Sequence, residues 1–303
     1  MTLVVTVNGP ETIWMLADRR LTQAGSMARD DARKLACLQT KDGVALIGYA
    51  GLGATARGTE PSDWIAAVLR SRKLELEQSL NVLARAMKEQ FPPHIIGSAK
   101  RVGTSHAALV PAFVGPEVRL YGIGLKLAAD GMSHEFVYTR WIRPPRNLPP
   151  RLAVAGSGAS YLIGNKKWKR DLLRLVKEHD RRRLADETIA EHLAALNYET
   201  HRAMSDGTVG PSCIIACRHR KGGARNGGGK HWCFTGSKRD RSAPMLPTIA
   251  DGMDVSALIG VIAPEFNKAM VTWREGKPGR ELDKDAINAE LAKLPDKPDE
   301  ELR

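Results

Sequence analysis

Short apolar or alternating runs open the chain, at Leu3 to Val7, Thr12 to Ala17, Leu35 to Thr40 and Val44 to Tyr49, and each has the length of a strand. Asn8-Gly9-Pro10 and Asp42-Gly43 separate them and predict turns, because these residues accept the backbone angles that tight reversals need. The period then changes. From Pro61 the positions Trp64, Ile65 and Leu69 predict a helix that begins with a proline, and Leu76, Leu80, Leu83 and Met87 predict a second, ended by Phe91-Pro92-Pro93. Strands return at His106 to Val114, Glu117 to Ile123, His134 to Trp141 and Leu152 to Ala155, with Gly115-Pro116 as one connecting turn. Helices are predicted over Lys167 to His179 and Glu187 to Met204. Strands at Ser212 to Arg218 and His231 to Thr235 close the series around a Gly- and Arg-rich loop, His219 to Lys230, expected to be mobile.

The order strands, helices, strands, helices, strands predicts an α+β fold in which two antiparallel sheets pack together and helices cover their outer faces. Residues 1–236 read as one domain. Residues 237–303 read as a C-terminal extension, partly disordered, with a polar Pro-containing start, an apolar patch at Val255 to Ala263 and one helix at Asp285 to Leu294.

Composition narrows the class. With 43% hydrophobic and 26% charged residues, the 303-residue chain can bury a substantial core. No apolar run approaches the roughly 20 residues of a spanning helix, and the start lacks the basic region of a signal peptide, so no membrane partner is expected and the protein is expected in the cytoplasm. Cys37, Cys213, Cys217 and Cys233 form no C-x-x-C pair, and Cys213 and Cys217 within Cys-Ile-Ile-Ala-Cys read as core rather than metal ligands. The net charge of +12 is uneven, with its densest stretch from Lys166 to Arg183. That stretch reads as a solvated helix face. Nucleic-acid binding is the rival reading, but no aromatic residues interleave the charge.

The start of the chain, Met-Thr, suits removal of Met1, which exposes Thr2 with a free α-amine beside its own hydroxyl. An amine with an ordinary pKa of about 7.7 to 8.0 is suited to take a proton near neutral pH. Asp18 closes the second strand in Leu16-Ala17-Asp18-Arg19-Arg20-Leu21-Thr22, and Lys34 opens the third, at 18 − 2 = 16 and 34 − 2 = 32 residues from Thr2. Lys34 there would favour loss of the hydroxyl proton and keep the amine neutral, with Asp18 holding the lysine.

These offsets and flanks resemble the N-terminal nucleophile hydrolases of the proteasome β-subunit and HslV type. The resemblance implies a four-layer αββα sandwich and a threonine peptidase in which Thr2 is the nucleophile and its own amine the base. It also implies that the Gly51 N–H, at the end of Leu46-Ile47-Gly48-Tyr49-Ala50-Gly51, binds the oxyanion, and that Ser157, in Ala155-Gly156-Ser157-Gly158, tunes the amine. In Ser205-Asp206-Gly207-Thr208-Val209-Gly210 the family's Asp and Gly are matched by Asp206 and Gly210, but Val209 stands at its Ser, so Thr208 or water would complete the network. By the same resemblance Arg20, Thr22, Tyr49 and Gly53 lie along bound substrate, a peptide or unfolded protein. No cofactor or metal is called for. A homo-oligomeric ring, with an ATPase unfoldase as a partner, would complete the picture. An amidase acting on small amides and a non-catalytic scaffold that binds nucleic acid through the basic helix are the alternatives.

Overall fold

The computed structural model describes residues 2–23, 26–51, 60–90, 106–127, 134–142, 151–223, 227–240, 245–274 and 283–293. A six-stranded sheet has the order β10-β1-β2-β11-β12-β13, built from β1 (Val4–Asn8), β2 (Thr12–Asp18), β10 (Arg151–Ala155), β11 (Ser212–His219), β12 (Gly229–Thr235) and β13 (Lys238–Asp240). All its pairs are antiparallel. A seven-stranded sheet has the order β15-β14-β5-β6-β7-β8-β9, from β5 (Leu35–Gln39), β6 (Gly43–Ala50), β7 (Ala107–Val114), β8 (Glu117–Leu127), β9 (His134–Ile142), β14 (Thr248–Ala250) and β15 (Met253–Asp254). A small hairpin, β3 (Leu21–Gln23) with β4 (Ser26–Arg29), stands apart from both.

Three apolar clusters hold these pieces together. One lies between the sheets and joins Val4, Ile13 and Met15 of the first to Leu35, Leu46 and Leu109 of the second. A second lies on the other face of the larger sheet, where α1 (Pro61–Leu69) and α2 (Leu76–Gln90) bury Ile65, Leu69, Leu80 and Leu83 against Ile47 and Val110. The third covers the smaller sheet. There α3 (Ala159–Gly164), α4 (Lys166–Asp180) and α5 (Asp186–Ala203) set Leu162, Leu172, Val176, Ile189 and Leu193 against Val5, Trp14 and Leu16. Each such fully buried side chain contributes about 1.5 to 3 kcal/mol through burial. The molecule is an α+β sandwich.

Because β2 lies between β1 and β11 and has apolar layers on both faces, all seven of its residues are buried, including Asp18 at its end. A carboxylate there must find partners in the protein. At the opposite end of the same strand pair, Thr12 faces His219 across the ladder. Asp186, the first residue of α5, bridges His179 of α4 and His219 of β11, with nitrogen–oxygen distances of 2.8 and 3.3 Å.

The larger sheet departs from the antiparallel expectation, since β14 runs parallel to β5. That strand belongs to the segment beyond Gly236, which supplies β13 to one sheet and β14 and β15 to the other before α6 (Val255–Arg274) and α7 (Lys284–Ala292). The stretch read as a loop from His219 to Lys230 is narrower, because β11 runs on to His219 and β12 starts at Gly229, each residue gaining a ladder partner. The basic stretch from Lys166 forms α4, amphipathic, with Trp168, Leu172 and Val176 buried and Lys167, Lys169, Arg170 and Arg174 exposed. Among the described residues no helix is long and apolar enough to cross a membrane.

Candidate active site

Thr2 lies two residues before β1, and the chain brings Asp18 next to it by pairing β1 with β2: the Asp18 N–H donates to the Leu3 carbonyl at 3.0 Å. Lys34 arrives from the other sheet, just before β5. Its ammonium donates to Thr2 Oγ1 at 2.7 Å, to Asp18 Oδ1 at 3.0 Å and to the Arg20 carbonyl at 2.5 Å. Thr2 Oγ1 in turn donates to Asp18 Oδ1. The three side chains are all but sealed, at 1%, 0% and 3% exposure, so the electrostatic coupling between them is screened little by water.

Asp18 is fixed from several directions. Oδ1 also accepts from the Leu3 N–H at 2.8 Å, while Oδ2 accepts from the Arg20 and Gly210 N–H groups, each at 3.1 Å. Burial pushes the Lys34 ammonium below its ordinary pKa, and the Asp18 carboxylate opposes that shift. The lysine therefore sits closer to losing its proton than a surface lysine does.

A second chain of hydrogen bonds reaches the same place. Asp206 Oδ1 accepts from the Thr208 hydroxyl at 2.8 Å and from its N–H at 3.1 Å, and the Ser157 hydroxyl donates to Thr208 Oγ1 at 2.8 Å. Ser157 Oγ also lies 3.4 Å from the Thr2 carbonyl oxygen. Thr208 is the link between Ser157 and Asp206. Val209, by contrast, is fully buried in the apolar cluster with Leu3 and Leu162, and faces away from the polar network.

The Thr2 carbonyl is packed closely on the turn after β10. Gly158 N–H donates to it at 3.3 Å, and Gly156 has φ +93°, where a Cβ would lie only 2.0 Å from that oxygen. Gly156→Ala should therefore destabilise the protein by at least about 2 kcal/mol through backbone strain and displacement of Thr2, read from the denaturant midpoint. Gly164→Ala, where an added Cβ meets nothing within 4 Å, is the control expected to be neutral or slightly stabilising.

The remaining expected residues are placed less uniformly. Arg20 is occupied: its guanidinium grips Asp30 through two hydrogen bonds, at 2.6 and 2.7 Å, and donates to the Gly207 carbonyl at 2.8 Å. Its geometry clamps the Asp206–Gly210 turn to the end of β2 instead of lining an open cleft. Gly51 follows directly on β6, and a Cβ there would strike His106 Nδ1 at 2.3 Å and the Tyr49 hydroxyl at 2.6 Å. Tyr49 is buried and its hydroxyl lies 3.3 Å from His106 Nδ1. Thr22 belongs to β3, and Gly53 lies outside the described residues.

Sequence reasoning missed Asp30, the Gly210 N–H and His106. Asp30 could have been sought as the anion that a buried Arg20 needs, but nothing local singles it out from Asp31. His106, whose pKa burial lowers, becomes a neighbour of Gly51 only when β7 pairs with β6.

No protein-family model and no curated protein matches the chain. Solved structures that it resembles include the helical assembly of the Anbu complex from Pseudomonas aeruginosa, at 15% identity over 93% of this chain and 99% of that one, with a TM-score of 0.44. Anbu (ancestral beta-subunit) from Yersinia bercovieri gives 15%, 92%, 99% and 0.42. An Anbu (Gly-1) mutant from Hyphomicrobium sp. strain MC1 gives 15%, 73%, 83% and 0.40. The expected assignment to the proteasome β-subunit and HslV-type peptidases is thereby corrected. These three structures belong to Anbu, a distinct proteasome-like group. The offsets of 16 and 32 record how strands near the start of the chain are spaced, and such spacing brings three side chains together without telling one family from another. At these TM-scores no residue role is carried across.

Proposed function

We propose that the protein hydrolyses amide bonds with the Thr2 hydroxyl as nucleophile, once Met1 has been removed. The observation that carries this reading is the buried contact of 2.7 Å between Lys34 Nζ and Thr2 Oγ1, with Asp18 held by backbone N–H groups on its far side. An ammonium at that distance favours the alkoxide-like oxygen that forms as the hydroxyl attacks a carbonyl carbon. The freed α-amine of Thr2 takes the hydroxyl proton and returns it to the leaving nitrogen. Water then attacks the ester on Thr2 and releases the acid, restoring the hydroxyl.

Other residues fall into roles around this step. The Ser157 hydroxyl donates a hydrogen bond to Thr208 Oγ1, which leaves its own lone pairs to accept from the Thr2 amine. Asp206 orders that relay. The Gly51 N–H is our choice for the oxyanion donor, since neighbouring groups crowd any side chain from its Cα. Tyr49 and Thr22 would border the substrate, a peptide added as an extended strand beside β3. We further read the layers as αββα, residues 1–236 as the catalytic unit, and residues 237–303 as an extension that covers sheet edges. A homo-oligomer in which copies enclose the site would protect other proteins from such a nucleophile.

The test is chemical. Intact mass should show Met1 absent, and a peptide bearing an electrophilic carbonyl should label the protein once, at Thr2. Labelling elsewhere, or none on protein that lacks Met1, would overturn the assignment.

A further inference from the structure

We propose that Asp186, Cys217 and His219 form a divalent-metal site of zinc type, which staples β11 to the α4–α5 junction at the end of the sheet remote from Thr2. Cys217 and His219 are two apart on β11 and so present their side chains to one face, the face covered by α4 and α5. Asp186 enters from the first turn of α5. The ligand atoms of the three residues lie within 4.8 Å of one another and all three residues are buried.

Their chemistry selects the ion. Thiolate, imidazole and carboxylate together suit zinc or cobalt, whereas magnesium and calcium take oxygen ligands alone. Bond lengths of about 2.0 to 2.3 Å put tetrahedral ligand atoms roughly 3.3 to 3.7 Å apart, so closure needs side-chain shifts of about 1 Å.

The surroundings are those of ligands held in place. Thr12 Oγ1 lies 3.1 Å from His219 Nδ1, which directs the other nitrogen, Nε2, at Asp186 Oδ2, 3.3 Å away. His179 Nε2 takes Asp186 Oδ1 at 2.8 Å, so the carboxylate is held with Oδ2 turned toward His219 Nε2 and the Lys230 ammonium. Such outer partners fix ring orientation and carboxylate geometry in metal sites.

Lys230 stands in the way and also marks the entrance. Its ammonium is 3.0 Å from Asp186 Oδ2, on a side chain that is 52% exposed, so it can swing to solvent when a dication supplies the positive charge instead. Metal entry replaces the Cys217 thiol proton by a sulfur–metal bond, releasing the proton to solvent with no change of oxidation state. Water entering past Lys230 completes the fourth position. Thr12 and Asp18 are 18 − 12 = 6 residues apart along β2, about 20 Å, so the ion acts on the fold and not on the Thr2 chemistry.

The test uses the full chain, stripped with a chelator and titrated with Zn2+ or Co2+ alone. One Zn2+ per chain should survive gel filtration. Co2+ should produce a sulfur-to-cobalt charge-transfer band in the near ultraviolet and the intense visible bands of a tetrahedral site. Cys217→Ser should lose the charge-transfer band, and Thr12→Val should weaken binding by about ten-fold or more while leaving circular dichroism unchanged. Absence of bound metal, Co2+ bound without charge transfer, or affinity unaltered in Thr12→Val would each overturn the proposal. Should Cys217→Ser fail to fold, the cobalt spectrum of the unaltered chain and the Thr12→Val affinity still decide it.

Discussion

Thr2→Ala should abolish amide hydrolysis, by at least about a thousand-fold in kcat/KM, while the protein still folds. The hydroxyl is the proposed nucleophile, and no other hydroxyl in the described site sits within hydrogen-bond reach of the Lys34 ammonium. Loss of that hydroxyl removes one partner each from Lys34 and Asp18, which keep one another and the backbone donors, so the stability cost should stay at about 1 to 2 kcal/mol. Thr2→Ser should keep measurable turnover, because it retains an oxygen that the α-amine can deprotonate. The assay is steady-state hydrolysis of a fluorogenic peptide or small amide, with thermal melts on the same samples. Undiminished hydrolysis by Thr2→Ala would sink the mechanism, whereas complete inactivity of the unaltered protein with Met1 removed would favour the scaffold reading, with nucleic-acid binding by α4.

Lys34→Met should have the second large effect, and it should appear in two separable measurements. The substitution leaves Asp18 buried without its cation, at a cost of about 3 to 5 kcal/mol read from denaturant unfolding. On the fraction that remains folded, kcat should fall by about thirty- to a thousand-fold, the value of about 2 to 4 kcal/mol of electrostatic stabilisation in a dry site. The pH profile of the unaltered enzyme carries the sign. Hydrolysis should rise as the α-amine loses its proton, near or below about 7.7 to 8.0, since the base must be neutral and the nearby cation lowers its affinity for a proton. It should fall again as pH rises through the Lys34 value, which burial places below that of an ordinary lysine. Residual activity in Lys34→Met should lack this alkaline limb. A profile in which that limb persists would assign it to another group.

The Asp206–Thr208–Ser157 relay shows how local identity can mislead. Val209 stands where the resemblance puts a serine, and Thr208 or water was expected to complete the network there. In the folded chain Val209 fills the apolar cluster beneath α3 and α4, and the neighbouring Thr208 makes the polar contact. Within a turn the side chains of adjacent residues point in different directions, so one residue supplies the core and the next supplies the hydroxyl.

Much of the architecture was legible along the chain, because the periods of apolar residues are physical requirements of strands and helices. The short β3, β4 and α3 were not anticipated, whereas the order of the longer elements through β12, the breaks at Asn8-Gly9 and Asp42-Gly43, and the amphipathic α4 follow from nearest-neighbour chemistry. The strands added after Gly236 do not: β14 is only three residues long and gains its stability from the parallel edge of β5, a partner more than 200 residues earlier. The meeting of Thr2, Asp18 and Lys34 was legible only through the family resemblance that their offsets of 16 and 32 from Thr2 carry. Their distances were not, because Lys34 belongs to the other sheet and its approach depends on how two apolar faces pack. The same limit hid Asp30 beside Arg20, the Gly210 N–H on Asp18, and the cluster of Asp186, Cys217 and His219. Sequence determines which residues must be buried and which segments form strands and helices, because those terms are largely local. Only the tertiary structure decides which buried polar groups meet, because a carboxylate or thiol takes its partner from whatever the packing of distant elements brings within about 3 Å.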